Sequence, residues 1–217
     1  MKEPSASPRK AERDWIETSR GQEAASFQRS AQITWWSILM GLALAELARK
    51  IAEILIGIKE AGQWILLLYA LAACLVVISA WVQNTWAILI YRLPIRIVHT
   101  GLSMLTGIAI FLACLFVDQP ARWWLAMVFV LVSTVMSYIY HLRVHAQLEL
   151  SSRRVWVTIA IYTGFILLSL AAYLSLLRLP GTLITASWGG IALVFTILSL
   201  AHQAGNMREE RRVRNIP

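Results

Sequence analysis

Acidic residues, cysteine and proline are all scarce in this 217-residue chain: 12 Asp and Glu stand against 20 Lys and Arg, with 2 Cys and 6 Pro. Each shortage excludes something. Cys74 and Cys114 lie far apart inside apolar stretches, with no C-x-x-C spacing and no soluble extracellular domain to staple, so they read as small core residues. No apolar stretch is interrupted midway by proline, the break that marks a substrate site in many transporters. The motifs of hydrolases and nucleotide enzymes are missing too. There is no G-x-S-x-G elbow, no zinc-protease motif, no Walker loop and no pair of intramembrane aspartates, so an enzyme is not expected. Connections are too short to hold an extramembrane domain, which leaves the apolar segments, their mouths and the tails as the places where function can reside.

What the chain has instead is long hydrophobic runs. Apolar residues make up 58% of the sequence and charged ones 15%. Five uncharged runs, Trp64 to Tyr91, Ile97 to Val117, Trp123 to Leu142, Val155 to Leu177 and Leu179 to Met207, reach or exceed the length of about 20 residues that crosses about 30 Å of hydrocarbon. A sixth run opens at Ala31, and from Ile33 only 16 residues pass before Arg49, with Glu46 among them. It is taken as spanning, with a charged outer end, and either stops near Ala48 or continues through the charges to Ile58. The expected fold is all-α: a polytopic membrane bundle of six transmembrane helices over residues 31–207, flanked by tails 1–30 and 208–217.

Basic residues orient the bundle, because cytoplasmic segments carry the excess of Lys and Arg. The first tail holds six (Lys2, Arg9, Lys10, Arg13, Arg20, Arg29), the second connection Arg92 and Arg96, the fourth Arg143, Arg153 and Arg154, and the last tail Arg208, Arg211, Arg212 and Arg214. The first, third and fifth connections hold only Arg49, Lys50, Lys59, Arg122 and Arg178. Both termini are therefore expected in the cytoplasm, with an inner membrane as the default location. No cleavable signal peptide is visible, so the first span is expected to act as the targeting signal. A net charge of +8 spread over loops, with no accompanying motif, excludes nucleic acid as the preferred partner. Anionic lipid is the expected partner instead, and Arg208, Arg211, Arg212 and Arg214 are the residues that would hold it, although an ordinary stop signal is the favoured account of these four.

The first tail is too poor in apolar groups to fold alone. From Ala11 onward, Trp15, Ile16 and Phe27 suit a short interfacial helix leading into the first span. Of the ten Trp, Trp35, Trp36, Trp86 and Trp156 fall at predicted cytoplasmic ends, and Trp64, Trp123, Trp124 and Trp188 at outer ends, where headgroups receive indoles. Trp81, well inside the second run, is expected between helices. Trp35-Trp36 and Trp123-Trp124 also open the first and fourth runs from opposite faces, a faint echo of an inverted repeat.

Two polar clusters are candidate sites. Glu46, Arg49, Lys50 and Glu53 are spaced three, four and seven apart on one helical face, and an ionisable group within a span is costly unless it finds protein, water or a partner. Either they form an ion pathway or they neutralise one another at a snorkelling helix end. Gln83 and Asn84 in the second run, beside Ser79 and Thr85, either line a hydrated cavity or bond neighbouring helices. Gly41 and Ala45, like Ala186 and Gly190, offer small surfaces for close helix approach. His141, His145 and Glu149 form a stripe with the spacing of ligands to a divalent metal or an axial haem histidine. Arg143 between them and the lack of any accompanying motif favour solvated interfacial histidines, so no cofactor is expected.

The segment Gly41-Leu42-Ala43-Leu44-Ala45-Glu46-Leu47, followed by a Trp-containing second run, resembles small uncharacterised bacterial six-helix integral membrane proteins. That family brings no activity with it. A looser architectural similarity extends to potassium channels built from six-helix units, whose first helix carries a Phe-Ser-Asp motif that is absent here. The expected function is a permeation pathway for a small cation or proton, as a homo-oligomer with Glu46 attracting or exchanging the ion; the alternative is a non-conducting anchor, accessory or sensor subunit.

Overall fold

In the first apolar run, Trp36, Met40, Ala43 and Leu47 recur every three or four residues and Ile54 follows two turns on, the period that brings side chains to one helical face. In the computed structural model, which describes residues 8–57, 62–91, 97–145 and 152–213, all five are buried. They belong to α1, Pro8–Ile56, a continuous 49-residue helix about 74 Å long. The first apolar run therefore carries through Glu46, Arg49, Lys50 and Glu53 to Ile56, and residues 8–30 are helical and continuous with it.

Five more helices follow among the described residues: α2 (Leu66–Tyr91), α3 (Ile97–Leu115), α4 (Pro120–His145), α5 (Ser152–Arg178) and α6 (Thr182–Val213). A short 3₁₀ turn, Gln63–Ile65, leads into α2. Gly62 before it sits at φ 97°, a left-handed conformation that side chains resist. The described residues form an all-α bundle. Four of its helices contain segments long and apolar enough to cross a membrane: Gln63–Thr85, Pro120–Tyr140, Val155–Arg178 and Thr182–Gly205. The apolar part of α3, Thr100–Leu115, is shorter. In α1 the charges after Ala45 break the apolar window.

Cross-helix contacts give the register. Tyr69 meets Thr185 and Ser79 meets Gln203, so α2 and α6 run parallel; Leu39 lies against Gly107 and Lys50 against Asp118, so α1 and α3 do too. The ends near Gly57, Val117 and Pro180 thus share one side, the turn end. The start of α1 and the finish of α6 share the other, the tail end. Going round the bundle, helices pack in the order α6, α2, α1, α3, α4, α5, with α2 also reaching α3 and α4 across the middle. Alanines make the tight contacts possible: Ala43, Ala72, Ala113, Ala172 and Ala192 are all buried. At Gly189 an added Cβ would stand 3.0 Å from Tyr69 Cε2, tighter than an ordinary contact, so a side chain there would have to push the ring aside by a few tenths of an ångström.

Several expectations need correction. Trp123 and Trp124 do lie at a helix end, but both are 0% exposed and turned into the bundle, because they share the inward stripe of α4 with Met127 and Val130. Trp81 is not between helices. It is 43% exposed on the bundle's outer surface, with its Nε1–H 3.4 Å from Ser37 Oγ. Gly41 and Ala45 are uncovered, with no atom within 4 Å of a Cβ built on Gly41, and Gly190 is equally open. The inward face of α1 is the stripe of Trp36, Met40, Ala43 and Leu47, and Gly41 and Ala45 lie off it. Trp36 is buried while Trp35 is exposed, so the paired Trp echo between α1 and α4 does not carry into packing.

Candidate functional site

The charged end of α1 divides by helical phase. Lys50 continues the stripe of Leu47 and Ile54 and is turned inward, its side chain 11% exposed. There its Nζ donates to Asp118 Oδ2 at 2.7 Å, in the connection between α3 and α4. One position earlier, Arg49 points outward and bridges both neighbours on its own helix, donating from Nε to Glu46 Oε2 at 3.0 Å and pairing with Glu53 one turn on. Glu53 also lies 3.7 Å from Lys50. The i, i+3 and i, i+4 pairing expected from the spacing is thus formed, and Lys50 adds to it a shorter bond to a partner 68 residues away. Glu46 is mostly covered and answered by Arg49. At the same end Arg122 lies over the Phe116 ring, 5.8 Å from its centroid.

Gln83 takes part in a second polar layer, in the tail-end half of the bundle. Its Nε2 donates to the Tyr138 hydroxyl at 2.6 Å, joining α2 to α4. The Tyr138 ring stacks on Tyr162 of α5 at a centroid distance of 5.9 Å. The Tyr162 oxygen in turn accepts from Gln203 Nε2 of α6 at 2.9 Å and shares a 3.3 Å hydrogen bond with Ser199. Gln203 Oε1 accepts from Ser79 of α2, which closes the circuit. Thr158 and His202 Nε2, 3.2 Å apart, add a further link between α5 and α6. Buried amides and hydroxyls in an apolar interior must find each other, and here four helices supply the partners. Asn84 is not in the circuit: its Nδ2 is buried with no hydrogen-bond partner among the described residues.

Near the charged end the helices are held by a cluster of aromatic rings. Tyr69 meets Trp123 edge to face at 5.3 Å, Trp123 meets Trp124 at 5.1 Å, and Trp124 meets Trp188 at 5.9 Å. The Tyr69 hydroxyl donates to Thr185 O at 3.0 Å and Trp188 Nε1 to Ser175 Oγ at 3.1 Å, so the ring edges are tied to α5 and α6.

No protein-family model, curated protein or solved structure matches this chain. The chemistry of the site rests on its own geometry.

His141 and His145 lie one turn apart on α4, but their side chains, like Glu149 itself, fall outside the described residues. Among the described residues no three His, Cys, Asp or Glu side chains gather as metal ligands would. Arg208 is exposed on α6; the side chains of Arg211 and Arg212, and all of Arg214, lie outside the described residues, as do Lys59, Arg92 and Arg96.

Sequence reasoning missed Gln203, Tyr138 and Tyr162 and left Asp118 without a partner. A signal for Gln203 was present: a lone amide deep in an apolar run needs an acceptor and a donor. The tyrosines carried no such signal, since a phenol is at home both in a core and at an interface.

Proposed function

We propose that this chain is a six-span integral protein of a bacterial inner membrane, both ends cytoplasmic, that serves as a non-conducting anchor, accessory or sensor subunit. One observation carries the reading: of the candidate pathway residues, Glu46, Arg49, Lys50, Glu53 and Gln83 are answered from within the chain, and Asn84 alone keeps a buried group without a partner among the described residues. Glu46 is bound by Arg49, Lys50 by Asp118 and Gln83 by Tyr138, and the Tyr69, Trp123, Trp124 and Trp188 rings pack edge to face in the same bundle. A permeating ion would have to replace hydration with groups that are already engaged. The spans of α1 and α3, which are shorter or more charged than the other four, are supported by their packing inside the same bundle. The excess of Lys and Arg at the tail end supports the orientation. On this reading the arginines at 208–214 rest on anionic lipid at about 1 kcal/mol each. The resemblance of Gly41–Leu47 to small bacterial six-helix proteins agrees with it and adds no activity.

Permeation of a proton or small cation is the second reading, favoured by the circuit of Ser79, Gln203, Tyr162, Tyr138 and Gln83 across four helices. Flux in proteoliposomes separates the two. Folded wild type is expected to carry no proton, sodium or potassium current above empty vesicles under any of the three gradients. A flux that disappears in Glu46→Gln would reverse the choice. Labelling of cysteines placed at each end of the chain, from inside and outside intact cells, tests the orientation.

A further inference from the structure

The six helices form a ring with one weak seam. Five of its six neighbouring pairs are in close backbone contact, whereas α5 and α6, joined by only residues 179–181, approach each other's backbone at few points. The ring is an open C, running from α6 through α2, α1, α3 and α4 to α5. Side chains close it. Phe165 meets Phe195 at 4.0 Å, and tail-ward of that contact the bridges are polar: Tyr162 to Ser199, Tyr162 to Gln203 and Thr158 to His202. Each lip of the seam is fastened to its own side. Gln203 and Gly189 hold α6 on α2, through Ser79 and against Tyr69, while the Tyr138–Tyr162 stack holds α5 on α4.

From this geometry we infer that the α5–α6 seam is the line along which the bundle opens, hinged at residues 179–181 and latched at the tail end by Tyr162 and Thr158. Where the bundle meets water at its tail end, hydroxyl and amide bridges exchange readily for bonds to water. The turn end stays tied by the short connection and by Trp188 to Ser175, so the opening is widest where α5 begins and α6 ends. Parting the lips bares Ser79, Gln83, Tyr138 and Gln203, a strip of hydroxyls and amides, to water at the tail end. The latch does not depend on whether the bundle conducts.

Spin labels on exposed positions across the seam read this directly in full-length protein in lipid nanodiscs, on a Cys74→Ala, Cys114→Ala background. The reporter pair is Val157→Cys with Ala204→Cys; control pairs are Val82→Cys with Ala204→Cys across α2–α6, and Met136→Cys with Val157→Cys across α4–α5. Tyr162→Phe with Thr158→Val removes the seam's hydroxyls while keeping shape and leaving the Ser79–Gln203 bond in place. The expected result is a longer and broader 157–204 distance distribution with both controls unchanged. An unchanged 157–204 distribution in folded protein overturns the latch, and so does equal broadening of all three pairs, which would mean general loosening. If the double variant is not monodisperse, Tyr162→Phe alone is expected to give a smaller shift in the same direction, and no shift there overturns the proposal.

Discussion

The two ends of this bundle are held by different physics. Toward the turn end, cohesion comes chiefly from shape: rings of Tyr69, Trp123, Trp124 and Trp188 meet edge to face among buried alanines, with Lys50–Asp118, Tyr69–Thr185 and Trp188–Ser175 as isolated polar ties. Toward the tail end, cohesion comes from hydrogen bonds, with Ser79, Gln83, Tyr138, Tyr162 and Gln203 linking four helices. In a bilayer the lipid is as apolar as the helix surface, so association relies on close packing and on polar groups that want partners. The contrast teaches that one membrane fold can use both, the first where the helices are to stay fixed and the second where they are able to part.

The largest effect expected from testing this contrast is at the aromatic end. Trp123→Ala removes a fully buried indole and is expected to cost about 3–5 kcal/mol, read as a fall in the thermal midpoint of detergent-solubilised protein. Lys50→Met comes next, because it strands Asp118, whose Oδ1 already has no partner among the described residues. A loss of about 2 kcal/mol is expected, with Lys50→Met, Asp118→Asn recovering most of it in a double-mutant cycle. Recovery failing would mean that the pair contributes through packing alone.

Small residues sharpen the comparison further. Gly189→Ala forces a Cβ against Tyr69 and is expected to destabilise by about 1 kcal/mol, whereas Gly41→Ala, in open space on a helix, is expected to stabilise by about 0.5 kcal/mol. At the polar end, Gln203→Leu is expected to cost only about 0.6–1.7 kcal/mol, the range of interhelical hydrogen bonds in bilayers, despite loosening three helices. Smallest of all is Glu46→Gln. Its partner Arg49 is half exposed, so a change within about 0.5 kcal/mol is expected by the same thermal measurement. A large effect there would put Glu46 back among the residues on which the bundle depends.

Much of this was legible beforehand. Runs of apolar residues marked α2 through α6 to within a few positions of their ends, since each run stops where charge or a Pro-containing connection begins. The Arg49 pairs followed from three- and four-residue spacing, which is a property of the helix itself. Lys50 to Asp118 did not follow, because it spans 68 residues and depends on which face of α1 turns inward. Trp123 and Trp124 misled for the same reason: composition places indoles at a helix end, but only the neighbours decide whether the ring meets lipid or core.

The chain by itself determined its solvent, its helices and its local ion pairs, because these depend on residues near in sequence: apolar length, helical period and charge spacing. Only the tertiary structure decided which faces became interior, where Lys50 and Gln203 found partners, and which pair of helices was left to close the ring. Those outcomes depend on contacts between distant segments, and a helix surface looks the same in sequence whether lipid or another helix covers it.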